Sequence, residues 1–129
     1  MAPGGNRGAP LSPRRLQPEE RATLLALLNH ADFEGRHALV EQVDAARADG
    51  HCPCGCATVG LVVDPAAPSA GKTYRPIPNE ADVHDADGGY IGGVIVFADD
   101  GYLSALEIYS ISDPITQLPP LDRLRLVSR

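Results

Sequence analysis

Ile91-Gly92-Gly93-Val94-Ile95-Val96-Phe97-Ala98-Asp99-Asp100-Gly101-Tyr102-Leu103-Ser104-Ala105-Leu106-Glu107-Ile108-Tyr109-Ser110-Ile111 holds two apolar runs joined by an Asp-Gly turn. It reads as a β-hairpin, because Asp-Gly accepts the left-handed backbone that a tight turn between twisted strands demands. Strict alternation along the second run sends Tyr102, Leu106 and Ile108 to one face and Leu103, Glu107 and Tyr109 to the other. Both faces are therefore expected to be partly covered.

Upstream of the hairpin, Val59-Gly60-Leu61-Val62-Val63 is a β-branched run ended by Asp64-Pro65, and it reads as a third strand. Prolines 65, 68, 76 and 78 make the next stretch a long loop with one edge strand near residues 72–75. Before these come two helices. At Gln17-Pro18-Glu19-Glu20 proline suits the first helical position and two carboxylates face the positive end of the helix dipole. Leu24, Leu25, Leu27 and Leu28 form the buried stripe of that helix. A second helix is expected from residue 36 towards 47 on Leu39, Val40 and Val43, with Gly50 as its terminator. The alternative is that residues 45–49 are extended. After Asp113-Pro114 the chain reads as irregular and docked by Ile115, Leu118 and Leu121.

These elements predict an α+β fold: two N-terminal helices packed on one face of a three- to four-stranded, mainly antiparallel sheet with a C-terminal β-hairpin. Residues 1–15 read as a disordered basic arm, 16–121 as a single domain and 122–129 as a C-terminal tail. A chain of 129 residues suits one core. With no tryptophan, two phenylalanines and four tyrosines, that core must be aliphatic.

The formal charge is −6, but Arg7, Arg14 and Arg15 precede the first acid, Glu19, so residues 19–129 carry 8 basic and 17 acidic side chains. Such a body repels phosphate backbones and anionic lipid, which argues against nucleic-acid and membrane partners and for a basic protein. No stretch approaches the roughly 20 apolar residues of a membrane span, and the N-terminus lacks the apolar centre of a secretion signal. A cytoplasmic protein is expected.

The chemical lead is His51-Cys52-Pro53-Cys54-Gly55-Cys56. Thiolates suit zinc and other soft metals, and an extended segment would put Cys52, Cys54 and Cys56 on one side, sharing an ion with His51, His84 or Asp85. Against this, zinc sites space their cysteines by two to four residues and draw a second pair from elsewhere. The other reading is three small apolar residues at a turn into a buried strand. Redox work is disfavoured, since no lysine or arginine adjoins the thiols and the spacing is not Cys-x-x-Cys.

Two motifs fail on their own requirements. Ser69-Ala70-Gly71-Lys72-Thr73 imitates a phosphate-binding loop, but Ala66 stands where its first glycine belongs, and Pro76 and Pro78 oppose the helix that must follow. Asp85-Ala86-Asp87-Gly88 imitates a calcium loop, but Val83 and Val94 fall where oxygen ligands are required. The acidic run Glu80, Asp82, Asp85 and Asp87 reads as a solvated loop able to make electrostatic contacts, and Asp82, Asp85, Asp87 and, from the late strand, Glu107 are the candidate partner-binding residues. His30, His37, His51 and His84 have no nucleophile motif beside them, and no catalytic constellation is legible. Glu107, inside an apolar strand, reads as a sheet-surface carboxylate or as a shielded acid or base.

Asp32-Phe33-Glu34-Gly35, Cys52 to Cys56 and Gly101-Tyr102-Leu103-Ser104-Ala105-Leu106-Glu107-Ile108-Tyr109, with the leucine-rich helix, resemble a family of small uncharacterised actinobacterial proteins across residues 19–120. The resemblance implies no activity, but it draws attention to the cysteines and to Glu107. The late strand also resembles those of some bacterial immunity proteins, which neutralise a toxin by binding it. Two expectations follow: a non-enzymatic, immunity-type module that holds a basic protein on an acidic surface, or a small metal-binding protein with zinc or another soft ion on the cysteines.

Overall fold

The computed structural model describes residues 13–51 and 56–129, His51 through its backbone alone. The hairpin lies at the centre of a sheet larger than expected. Its strands are β1 (Arg14–Arg15), β2 (Ala46–His51), β3 (Val59–Val63), β4 (Asn79–His84), β5 (Tyr90–Asp99), β6 (Tyr102–Ser110) and β7 (Leu124–Ser128). They line up as β1-β2-β3-β6-β5-β4-β7, and every pairing is antiparallel. Among the described residues the α-helices are two and short, α1 (Pro18–Leu28) and α2 (Arg36–Gln42).

This corrects the predicted fold class. The sheet has seven strands rather than three or four, and the described residues are 38% strand against 21% helix, so the fold is mainly β. The hairpin is not C-terminal either, because β7 follows it and pairs with β4. The missed strands carry weak apolar patterns. In β4 the buried positions are Asn79, Ala81 and Val83, alternating with half-buried Glu80, Asp82 and His84. In β2 two of the inward positions are Ala46 and Ala48. Small or polar residues at inward positions hide the period of two that marks a strand.

Helix α2 stops at Gln42, and a 3-10 turn (Val43–Ala45) leads directly into β2, so the extended alternative is the one adopted, from Ala46 onward. Gly50 is not a helix terminator. It lies in β2 at φ +83°, where the register with β3 shifts. The edge strand expected near residues 72–75 reduces to one bridge, Tyr74 with Ala98. In the C-terminal stretch Ile115 and Leu118 dock on the core, whereas Leu121 is exposed.

At the hairpin turn Asp100 and Gly101 both have positive φ, as the Asp-Gly signal requires. A bulge at Ser104 then changes the expected facing: Ala98 pairs with Leu103 but Phe97 with Ala105. The extra residue moves Leu103 onto the same side as Leu106 and Ile108, and all three are buried.

The core joins Leu24, Leu27, Leu28, Leu39 and Val43 to Val59, Leu61, Ala81, Val83, Val94, Val96, Leu103, Leu106 and Ile108. Two buried amides lock this layer. Gln42 Nε2 donates to the Pro68 carbonyl at 2.8 Å and the Gly101 carbonyl at 2.7 Å, while its Oε1 accepts from the Leu103 N–H at 2.9 Å. Asn79 Nδ2 donates to the carbonyls of Leu27 and Ala31, both at 2.8 Å, satisfying the end of α1 against β4.

Candidate partner-binding surface

Because Val94, Val96, Leu106 and Ile108 face the helices, period-two alternation sends their neighbours to the other side of the sheet. There stand Glu80, Asp82 and His84 from β4, Tyr90, Gly93, Ile95 and Phe97 from β5, and Ala105, Glu107 and Tyr109 from β6. Among the described residues no helix covers this face, and Tyr90 and Tyr109 are 44% and 38% exposed on it.

Register builds the centre of the face. Gly93 lies between Asp82 on one side and Tyr109 on the other. A Cβ on Gly93 would collide with the Tyr109 hydroxyl and lie 2.5 Å from its Cζ, so the glycine is what lets the Tyr109 ring lie flat across β5. The hydroxyls of Tyr109 and Tyr90 meet at 3.5 Å, and the Tyr90 ring stands edge-on to His84 with centroids 6.2 Å apart. The bond to Tyr90, burial, and the nearby charges of Asp82 and Glu80 push the Tyr109 phenol up to about 12. Arg129, just past β7, reaches back with Nε 2.9 Å from Glu80 and a terminal nitrogen 3.6 Å from Asp82. Glu80 in turn raises the Arg129 guanidinium further.

The four predicted contact residues divide into two pairs. Asp82 and Glu107 share the open face, with Glu107 half-buried opposite Ile95. Asp85 and Asp87 belong to the β4–β5 turn, where Asp85 Oδ1 accepts the N–H groups of Asp87 at 2.9 Å and Gly89 at 2.8 Å. Asp85 is thus occupied in shaping its own turn, and Asp87 projects at the tip. Sequence reading placed Glu80 in the acidic run but not among the contact residues, and it missed Tyr90, Tyr109 and Arg129. The available signal was the alternation Glu80, Asp82, His84, and the glycine pair 92–93 facing a tyrosine across the hairpin.

Of the predicted metal set, Cys52 and Cys54 lie outside the described residues, as does the side chain of His51. Cys56 is half-buried and lines a groove of about 490 Å³ with Arg14, Glu20, Thr58 and Thr116. The polar groups there are largely committed to each other. Arg14 grips the Glu20 carboxylate with two bonds of 2.9 Å, the Gln17 N–H adds one of 2.8 Å, and Thr58 Oγ1 both accepts from and donates to the Ile108 backbone. Burial alone would raise the Glu20 carboxyl, but Arg14 and the Gln17 N–H outweigh it and hold the group below its usual value. Cys56 precedes β3 and His84 ends β4, with β6 and β5 between those strands. Among the described residues no group of three His, Cys, Asp or Glu side chains could hold a metal ion.

The segment 69–73 that imitates a phosphate loop wraps the hairpin turn, with Gly101 N–H donating to the Lys72 carbonyl at 2.9 Å and no helix following. No described helix is long and apolar enough to cross a membrane. The chain matches no family model, no curated protein and no solved structure.

Proposed function

We propose that this is a small cytoplasmic, non-enzymatic binding protein that docks a basic protein on the open face of its sheet, as an immunity-type protein does. One observation carries the reading: the face that no described helix covers brings two exposed tyrosines together with Glu80, Asp82 and Glu107. Exposed aromatic rings are enriched at protein interfaces, and rings beside carboxylates attract cations. Glu107 sits on the central strand β6 and Glu80 and Asp82 on β4, while Arg15, Arg47, Arg125 and Arg129 stand towards the two edges of this face and Arg75 lies over Phe97. The net negative charge of residues 19–129 adds long-range attraction for a basic partner.

The test uses a partner captured on the immobilised protein and then purified, with affinity measured between the two pure components. Glu107→Lys on the open face should weaken binding by about tenfold or more, and the wild-type affinity should fall as salt rises. Glu41→Lys on exposed α2, away from the face, should leave it unchanged. Equal effects of the two substitutions would remove the open face from the reading.

A further inference from the structure

We propose that Glu80, Asp82, Tyr90 and Tyr109 form the seat of one arginine side chain of the basic partner, and that Arg129 of this chain occupies the seat until the partner displaces it. This deepens the docking reading above and rests on it. The seat is built across three strands. Glu80 and Asp82, two residues apart on β4, point to the same side, and Tyr109 lies over Gly93 beside them, its hydroxyl 3.5 Å from that of Tyr90. A planar guanidinium suits this pairing better than an ammonium, because it can bond carboxylates with several N–H groups while stacking on a phenol ring.

Arg129 shows the carboxylate half of this chemistry in place. Its Nε is 2.9 Å from Glu80, a terminal nitrogen 3.6 Å from Asp82, and its own N–H donates to the Pro78 carbonyl at 2.8 Å, which carries the side chain to the seat. The Arg129 side chain remains 57% exposed. An ion pair that open to water is weak, so an arginine held by a wider interface can replace it. The occupied seat also shields two neighbouring carboxylates from each other when no partner is bound.

The experiment titrates the full chain with hexa-arginine and hexa-lysine peptides at low salt, following the ring signals of Tyr90 and Tyr109 and the Nε–H signal of Arg129 by NMR. Hexa-arginine should move all three signals and bind more tightly than hexa-lysine. Arg129→Ala should tighten binding by about threefold or more, since a competitor is gone. Asp82→Asn should weaken it by about tenfold. Glu80→Gln is the second variant should the first fail to fold, with circular dichroism as the check on both. Unchanged or weaker binding by Arg129→Ala overturns the self-occupation. Loss of binding in Asp87→Asn but not in Asp82→Asn overturns the seat and leaves the acidic-surface reading standing. If neither peptide binds while the purified partner does, the arginine seat alone falls. If neither the peptides nor any basic partner binds, the docking reading falls with it.

Discussion

At the scale of single residues, Gln42 and Tyr109 show how much one side chain decides. Gln42 is fully buried and serves three backbone groups from three segments, the loop at Pro68, the turn at Gly101 and the start of β6 at Leu103. Gln42→Ala leaves the Leu103 N–H and the Gly101 carbonyl without that partner and should cost about 3 kcal/mol, read as a lowered urea midpoint. A cost below about 1 kcal/mol would show that other groups or water replace the amide. Tyr109 carries a pH prediction with a definite sign. Its folded phenol is raised from 10.0 to about 12, so the stability it contributes is complete below about 10 and is lost as pH rises through about 12. In an ultraviolet titration one of the four tyrosines should ionise last, and Tyr90→Phe should bring it down. Neither role was legible beforehand. Gln42 is one polar residue within a helical pattern, and the Tyr109 environment depends on Gly93, a neighbour across the hairpin.

Among the elements, those with strong local signals were readable and those that borrow their stability were not. Pro18 with Glu19 and Glu20 marks the start of α1, and Asp100-Gly101 marks the hairpin turn, because each signal acts within a few residues. β7 is the contrary case. Leu124 and Leu126 alternate with Arg125 and Val127, yet five residues make a strand only when a partner edge is available, and β4 supplies it in register from Asn79↔Ser128 to Val83↔Leu124. Truncation after Pro120 should therefore uncover the edge of β4 beside Ala81 and Val83. The expected outcome is a lower thermal midpoint together with concentration-dependent self-association in sedimentation velocity, as a bare edge recruits another chain. A truncated chain that stays monomeric at unchanged stability would mean that β7 contributes little to the sheet.

For the molecule as a whole, charge and topology work at different ranges. Residues 19–129 carry an excess of nine negative charges, which sets what can approach but not where it lands. Duplex DNA should show no mobility shift with the protein at about 0.15 M salt, and a salt-sensitive shift would reverse the expected partner class. Sequence alone determined the hairpin, the first helix, the aliphatic core and the acidic balance, since each follows from residue type or from neighbours close along the chain. Tertiary structure alone decided the seven-stranded order, the bulge that turned Leu103 inward, and the gathering of Glu80, Asp82, Tyr90, Tyr109 and Arg129 on one face. The physical reason is that strand pairing joins residues up to about fifty positions apart, and the register that joins them is selected by burial of the whole sheet, not by any local preference.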